Sequence, residues 1–354
     1  MGTRYTPLKI FHYPEKLASL AKDAETTPPL HIRIKPTNVC CHRCRYCAYR
    51  SPDLALGGGM DTRHTIPREK MLEIVEDVIA MGVRAVTFSG GGEPFCYAHL
   101  AETARRLAES PVRFAALTNG SRLEGEAAEI FARHASWVRV SMDGWDGESY
   151  ARYRDVSNLE FGRVLGNIEQ FKALGGPCHL GVSLIVDREN AGHVHDFVRL
   201  VKSAGADSIK ISPCITSNSG QENRAYHEPI FDLVTVQIAR ATHDFAGDGF
   251  EIHNAFHQMD TVFDKPYHWC PYLQVLPVIG ADLRVYSCQD KAYTDSGVLG
   301  SIEQTSFQEF WMNGREKFFG IDPARDCKHH CVADGKNRLI HDFLAVDREH
   351  LGFV

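Results

Sequence analysis

Residues 40–47 read CCHRCRYC, and this stretch decides how the rest of the chain is interpreted. Within it Cys40, Cys44 and Cys47 follow C-x3-C-x2-C spacing, which places three thiolates on one tight loop. Three thiolates fit three corners of an iron-sulfur cube, whereas electron-transfer clusters usually take four cysteines. The spacing therefore predicts a cluster whose fourth iron has no protein ligand and can bind and reduce another molecule.

A zinc site is the alternative interpretation of these thiols, with His42 or Cys41 as a fourth ligand. Residues 86–94, which read VTFSGGGEP, argue against it, because a short apolar strand here runs into three glycines and a carboxylate. Glycine lets a ligand approach the backbone closely, and a carboxylate can accept from an ammonium group. A zinc site would use neither feature. The residues concerned are Gly90, Gly91, Gly92 and Glu93.

The two motifs, in this order, resemble those of the radical S-adenosylmethionine (SAM) superfamily. The resemblance implies that SAM chelates the open iron of a [4Fe-4S] cluster and that the glycine motif binds the SAM amino group. It also implies that Tyr46, the aromatic residue before the last cysteine, belongs to the site. In such enzymes one electron from the cluster cleaves SAM to methionine and a 5'-deoxyadenosyl radical, which takes a hydrogen atom from an unactivated carbon.

Composition excludes several other classes of protein. The chain has 354 residues, 44% of them hydrophobic, and a net charge of -6, whereas nucleic-acid binders are usually basic. Its eleven cysteines follow no secretory signal, which predicts a reducing cytoplasmic location and cysteines used for metal. No stretch approaches the ~20 apolar residues of a membrane span. We therefore expect neither a nucleic-acid nor a membrane partner.

Six strand patterns alternate with helical patterns along the first two thirds of the chain. This alternation predicts parallel βα units, in either a doubly wound sheet or a barrel. The resemblance implies a partial (β/α)6 TIM-like barrel, followed by a small α+β auxiliary iron-sulfur domain. The predicted strands cover residues 31–35, 85–89, 114–118, 137–142, 180–186 and 208–212. The predicted divisions are a lead-in (1–30), the barrel (31–220), a connector (221–265) and the auxiliary domain (266–354).

Polar residues at the predicted strand ends are further candidates for the site, because ligands of such folds bind there. The resemblance implies that Ser141, Ser183 and Arg154 hold the ribose and carboxylate of SAM. The alternative is that serines at strand ends satisfy local backbone groups. Cys214, at the mouth of the sixth strand, is the candidate donor of a hydrogen atom, although a buried free cysteine often only packs.

A second group of four cysteines lies in the last quarter of the sequence: Cys270, Cys288, Cys327 and Cys331. A predicted hairpin, with strands 273–279 and 283–287 and a turn at 280–282, would bring the first two together. Four thiolates suit one complete cluster, and four-cysteine zinc is the alternative. The segment resembles the SPASM and shorter twitch extensions, which implies a second [4Fe-4S] cluster, with His329 or His330 as possible substitute ligands. It departs from them at Leu283, where glycine is usual.

The substrate is predicted from what precedes the first cluster motif. Only 39 residues do so, too few for a peptide-recognition domain. We therefore expect a small-molecule substrate such as a sugar, aminocyclitol or nucleotide sugar, undergoing dehydrogenation or epimerisation, with flavodoxin or ferredoxin as reductant. A peptide maturase with a separate recognition partner is one alternative. A non-catalytic iron-sulfur or zinc protein is the other.

Overall fold

The computed structural model describes residues 4–50, 56–247, 249–257 and 263–353, and these ranges contain ten strands in one sheet. The strands are β1 (His31–Ile34), β2 (Ala85–Phe88), β3 (Arg113–Thr118), β4 (Trp137–Ser141), β5 (His179–Val186), β6 (Ser208–Pro213), β7 (Glu251–Asn254), β8 (Val278–Ile279), β9 (Arg284–Tyr286) and β10 (Val298–Ser301). Their order in the sheet is β10-β9-β8-β1-β2-β3-β4-β5-β6-β7. Strands β1 to β7 pair in parallel with their sequence neighbours, and β8 pairs in parallel with β1.

Helices connect the parallel strands, as crossovers between parallel strands require. The α-helices of the described residues are α1 (Pro14–Ala18), α2 (Arg68–Ala80), α3 (Leu100–Ala108), α4 (Gly125–His134), α5 (Gly147–Arg154), α6 (Glu160–Ala173), α7 (Val194–Ser203), α8 (Gly220–His227), α9 (Phe231–Phe245), α10 (Phe307–Met312), α11 (Pro323–Asp326) and α12 (Asp334–Leu344). None of these described helices is long and apolar enough to cross a membrane.

The two faces of the sheet differ in chemistry because strand side chains alternate. On β1, Ile32 and Ile34 are fully buried in the same core as Met71 and Ile74 of α2. The intervening side chains, among them that of Arg33, lie on the opposite, inner face. The helix-covered face is thus the hydrophobic core, and the inner face is left for polar side chains.

The predicted partial barrel is confirmed, and the six predicted strands match β1 to β6 within about two residues. Three elements differ from the prediction. The predicted connector contains a strand, β7, which pairs with β6 and extends the sheet. Helices α5 and α8 were not predicted, because their sequences, GESYARYR and GQENRAYH, are largely polar. Residues 1–3 of the lead-in, and 248 and 258–262 of the connector, lie outside the described ranges.

The predicted C-terminal hairpin is present but shorter than expected. Strands β8 and β9 pair antiparallel across the turn, whereas Leu273 and Gln274, predicted as strand, belong to a 3-10 turn at Pro271–Gln274. Proline favours such a start, and the backbone N–H of Tyr272 is taken by the Asn337 Oδ1 acceptor at 2.9 Å. Leu283 adopts a φ of 61°, the left-handed conformation that glycine favours. The turn thus keeps the backbone shape of the glycine it lacks.

Candidate active site

The cysteine loop leaves the C-terminal end of β1 and is held from two sides by backbone hydrogen bonds. The N–H of Glu93 donates to the carbonyl of Val39 at 2.9 Å, which joins the loop to the glycine motif. The N–H of Arg43 donates to the carbonyl of Arg154 at 2.9 Å, which joins it to the end of α5. Three parts of the chain that are distant in sequence therefore meet around residues 40–47.

The glycine motif packs directly against this loop. A Cβ atom on Gly91 would overlap the Oδ1 atom of Asn38, and one on Gly92 would overlap the carbonyl oxygen of Val39. A Cβ on Gly90 would overlap the carbonyl of Gly92 itself. The sequence suggested that glycine keeps side chains away from a ligand; in the structure it also keeps them away from the cysteine loop.

Glu93 is buried at the junction of β2 and β3. Its Oε1 accepts from the Phe95 N–H at 3.0 Å and the Thr118 hydroxyl at 2.7 Å, and its Oε2 accepts from the Asn119 N–H at 2.7 Å. Burial raises the pKa of Glu93 to about 7, and the hydrogen bonds to Asn119 and Thr118 oppose that rise. A carboxylate has about four acceptor positions, so Oε2 keeps room for one further donor.

An ion pair lies buried beneath the cysteine loop. The Arg154 Nη2 donates to Asp143 Oδ2, and the side chains are 4% and 1% exposed. The hydroxyl of Tyr46 donates to the same oxygen, and the N–H of Ile185 donates to Oδ1 at 2.8 Å. Arg154 Nη1 also lies 3.4 Å from the sulfur of Cys44. Two predicted site residues, Tyr46 and Arg154, are thus joined through one carboxylate.

Asp143 was not among the predicted site residues, because its role depends on the unpredicted helix α5. That helix begins with a capping box in which Asp146 accepts from the Ser149 N–H and Ser149 accepts from the Asp146 N–H. An aspartate three residues before a serine is a recognisable start signal. Reading it would have placed Arg154 in the last turn of a helix that follows β4.

The second cysteine group comes together in the C-terminal part, and all four of its thiols are unpaired: Cys270, Cys288, Cys327 and Cys331. Burial, together with the neighbouring Asp290 and the other three thiols, raises the pKa of Cys288 well above its usual value. Asn337 Nδ2 donates to the Cys270 sulfur at 3.2 Å. The side chain of His329 is buried, and its Nε2 has no hydrogen-bond partner among the described residues.

Comparison with known proteins supports the predicted resemblance. Residues 34–201, just under half of the chain, match the family model described as the radical SAM superfamily. This part of the chain is a radical SAM domain. Among curated relatives, a GTP 3',8-cyclase from Synechococcus elongatus is 28% identical over 179 residues, covering 49% of this chain and 51% of the cyclase. A pre-heme d1 synthase from Dinoroseobacter shibae is 23% identical over 367 residues, covering 94% of this chain and 87% of the synthase.

Solved radical SAM structures share the fold. Streptococcus suis SuiB bound to the precursor peptide SuiA aligns with a TM-score of 0.60 and 16% identity, over 88% of this chain and 71% of SuiB. Native anSMEcpe with bound AdoMet aligns with a TM-score of 0.57 and 17% identity, over 86% of this chain and 89% of that one. At these identities the likeness concerns the fold, and it extends through the C-terminal part of the chain.

A radical SAM protein uses a [4Fe-4S] cluster and SAM, and the thiols of the first loop fit such a cluster. Burial raises the pKa of Cys40 to about 12 and also raises that of Cys44. Such thiols become thiolates when a metal takes the place of the proton. The guanidinium of Arg154 beside Cys44 lowers the cost of this negative charge. The three thiols of the cysteine loop and the guanidinium charge beside Cys44 therefore fit a [4Fe-4S] cluster.

The C-terminal thiols fit a second cluster by the same donor chemistry. A tetrahedral zinc ion needs thiolates about 3.8 Å apart, whereas the thiolates of a cubane bind different irons and stand farther apart. Metal analysis of the purified protein would decide between iron and zinc.

Of the remaining predicted residues, Ser141 ends β4 and Cys214 follows β6, whereas Ser183 lies within β5. Their roles stay predictions. Ser141 and Ser183 are register partners across β4 and β5, and both are half-buried. Cys214 directly follows β6, and its carbonyl accepts from the His227 ring at 2.7 Å. Burial raises the pKa of Cys214 to about 12. The thiol is therefore protonated, as a hydrogen-atom donor requires.

A cavity of about 220 Å³ lies between the two cysteine groups. One wall carries Ser89 and Gly90, and the opposite wall carries Gln289 and Asp290, which follow Cys288. The complete lining is Arg33, Ala48, Tyr49, Leu56, Ser89, Gly90, Leu117, Gln289 and Asp290. The cavity therefore touches the glycine motif on one side and the auxiliary segment on the other.

Proposed function

We propose that this chain is a radical SAM enzyme that takes a hydrogen atom from a small, polar, hydroxyl-rich substrate. The observation that carries the proposal is the cavity of about 220 Å³ between the glycine motif and the auxiliary cysteine segment. Its lining offers a guanidinium, a phenol, a hydroxyl, an amide and a carboxyl group from Arg33, Tyr49, Ser89, Gln289 and Asp290. A sugar, an aminocyclitol or a nucleotide sugar presents the hydroxyl groups that such a lining can bind.

The residues of the chain bind and orient the reactants. When bound, the cluster and SAM supply methionine and the 5'-deoxyadenosyl radical, which abstracts a hydrogen atom. The Asp143 carboxylate fixes Tyr46 and Arg154 beneath the cysteine loop, and Glu93 fixes the end of β3 beside the glycine motif. A fixed site holds the target carbon in a reactive position and excludes competing hydrogen donors. The contacts of Ser141 and Ser183 with SAM belong to this proposal.

The fate of the substrate radical distinguishes two reactions. In dehydrogenation, an alcohol loses a hydrogen atom to the radical, a proton to solvent and one electron to the auxiliary cluster, and becomes a ketone. In epimerisation, a thiol returns a hydrogen atom from the opposite face and is left as a thiyl radical, which one electron from the reductant and a proton from solvent would restore. Cys214 is our candidate for that thiol. The four C-terminal cysteines favour dehydrogenation, because a complete auxiliary cluster can accept the electron.

The relatives support a polar substrate. The GTP 3',8-cyclases act on GTP, a phosphorylated nucleoside, and the match spans about half of the Synechococcus elongatus protein. A peptide maturase with a separate recognition partner is the second candidate, since SuiB was solved with a precursor peptide. The cavity favours a sugar or an aminocyclitol, because its volume of about 220 Å³ is below the roughly 300 Å³ at which drug-sized pockets begin, and a nucleotide sugar would have to extend beyond it.

The proposal includes the surroundings of the reaction. A one-electron donor such as flavodoxin or ferredoxin reduces the first cluster, and neither nucleic acid nor membrane is a partner. The cytoplasm supplies the reducing conditions. The division into barrel (31–220), connector (221–265) and auxiliary domain (266–354) is part of the same proposal.

Two measurements test the proposed function. Anaerobically reconstituted protein, given dithionite and SAM, is expected to release 5'-deoxyadenosine. The variant in which Cys40, Cys44 and Cys47 are all alanine is expected to release none. Iron and sulfide analysis of that variant is expected to find about four irons per chain, as one remaining cubane requires. Absence of 5'-deoxyadenosine from the wild type would refute an enzyme of this class. Zinc in place of the remaining iron would refute the auxiliary cluster.

A further inference from the structure

Three cationic side chains occupy the inner face of the sheet, on strands that the sequence analysis treated only as scaffold. Arg33 lies on β1, Arg139 on β4 and Lys210 on β6. Each alternates with fully buried apolar neighbours that face the helices, such as Ile32 and Val138. Because side chains alternate along a strand, all three cations point to the same inner side.

The three cations stand close enough to repel one another. Arg139 lowers the pKa of Arg33, after desolvation by burial and against the raising effects of Tyr49 and Asp290. Arg139 also lowers the pKa of Lys210, whose burial is the larger cause, to about 8. Neighbouring cations that are partly removed from water are costly unless something negative lies among them.

Within the described ranges, none of the three forms an ion pair at salt-bridge distance. Arg139 Nη1 donates to the hydroxyl of Tyr5 at 3.1 Å, which is neutral, and Lys210 lies 5.9 Å from the centre of the same ring. The Nε atoms of Arg33 and Arg139 are buried and have no hydrogen-bond partner. The inner face therefore presents unused donors as well as unpaired positive charge.

The nearby acids are engaged elsewhere or offset only one of the cations. Glu251 pairs with Arg4 and with His253, and Asp207 pairs with Lys172 at 2.8 Å. Asp290 is the acid that acts on Arg33. The charge of Arg139 and Lys210 is thus left without a carboxylate among the described residues.

The cations connect to the proposed substrate cavity. Arg33 and Leu117 line it, and Leu117 is the register partner of Arg139 across β3 and β4. Lys210 is the register partner of Ser183 across β5 and β6. A substrate in the cavity therefore contacts Arg33 and lies one strand away from Arg139.

We propose that Arg33, Arg139 and Lys210 form a subsite for a phosphate group of the substrate. The inference rests on the proposed function, because it names the chemical class of the molecule that the cavity accepts. Two guanidinium forks and one ammonium suit a phosphate, which presents several oxygens and up to two negative charges. Offsetting the charge of the iron clusters does not account for Lys210, since the charged groups that act on its pKa are Arg139 and Lys336.

Calorimetric titration of the reconstituted holoprotein with inorganic phosphate, at constant ionic strength, tests the subsite. We expect saturable binding whose Kd rises at least tenfold in Arg139→Gln and in Lys210→Met, and rises less in Arg139→Lys. The control is Arg105→Gln, whose side chain is 49% exposed, and its Kd should equal that of the wild type. Circular dichroism and iron content verify that each variant is folded, and Lys210→Met carries the test if Arg139→Gln is not.

Several results would overturn the inference. The first is a Kd for phosphate that is unchanged in Arg139→Gln and Lys210→Met. The second is a heat of phosphate binding no larger than that of chloride. The third is binding of acetate in preference to phosphate. Release of 5'-deoxyadenosine, measured on the same samples, separates this inference from the proposed function. If 5'-deoxyadenosine is released but phosphate does not bind, the proposed function stands and the phosphate subsite is refuted. If phosphate binds but no 5'-deoxyadenosine is released, the proposed function is refuted and the anion site stands.

Discussion

Substituting Asp143 by asparagine should destabilise this protein more than most single changes. The carboxylate accepts from Arg154 and Tyr46 on one oxygen and from the Ile185 N–H on the other. An asparagine amide has one accepting oxygen, so in either orientation its NH2 group faces a donor. The substitution also leaves the 4% exposed guanidinium of Arg154 without its counter-charge.

The expected cost follows from this burial. Removing one partner of a buried ion pair costs about 3–5 kcal/mol, because the other charge stays buried and unpaired. Since a chain of this size shifts its Tm by about 2 °C per kcal/mol, Asp143→Asn should unfold about 6–10 °C below the wild type. Circular dichroism under anaerobic conditions measures the shift. Iron content should also fall, because Arg154 lies 3.4 Å from the sulfur of Cys44.

A double-mutant cycle identifies the cause. The double variant Asp143→Asn/Arg154→Met leaves no buried charge unpaired. The losses of unfolding free energy of the two single variants should therefore sum to more than the loss of the double variant. Glu126→Gln is the control, because its partner Arg105 is 49% exposed and such pairs contribute about 0–1 kcal/mol. The reasoning fails if Asp143→Asn unfolds within 2 °C of this control, or if the two inner substitutions are additive.

Three further outcomes are expected. Gly92→Ala places a methyl group on the carbonyl of Val39 and should reduce 5'-deoxyadenosine release at least tenfold. Gly166→Ala is the control, because it lies in α6 with no atom within 4 Å of its Cβ position. It should keep activity and add about 0.5–1 kcal/mol of stability. Burial lowers the pKa of Lys210 to about 8 in the folded chain, from 10.5 for an unperturbed lysine, so the unfolded chain binds more protons between these pH values. The free energy of unfolding should therefore rise with pH across that window by up to about 3 kcal/mol, and Lys210→Met should remove this rise in urea titrations. Leu283→Gly removes the cost of about 1–2 kcal/mol of a left-handed backbone conformation, but it also removes the packing of the leucine side chain. The Tm of this variant should therefore stay within about 3 °C of the wild type. A larger fall would show that packing dominates.

The sequence predicted the parallel strands well because each is a short apolar or alternating run bounded by loop residues. It missed α5, GESYARYR, because eight mostly polar residues show no apolar period. Its buried face is built from Tyr150 and Tyr153, which are inconspicuous in the sequence. Arg154 was predicted from the resemblance alone, and its partner Asp143 appears only once the helix is placed. The cavity could not be predicted, since its walls come from residues up to 257 positions apart, from Arg33 to Asp290.

Strand β1 explains how two cysteine groups so distant in sequence meet at one cavity. Its C-terminal end carries the first cysteine loop, β2 on one side carries the glycine motif, and β8 on the other begins the auxiliary hairpin. Two side-chain bonds reinforce this arrangement: the Tyr293 hydroxyl donates to Asn38 Oδ1 at 2.5 Å, and the Tyr49 hydroxyl donates to the Gln289 carbonyl at 3.1 Å. The auxiliary segment is therefore part of the wall facing the glycine motif. A cluster held by the C-terminal thiols would supply an electron acceptor on this side of the cavity, so iron at these thiols would favour dehydrogenation.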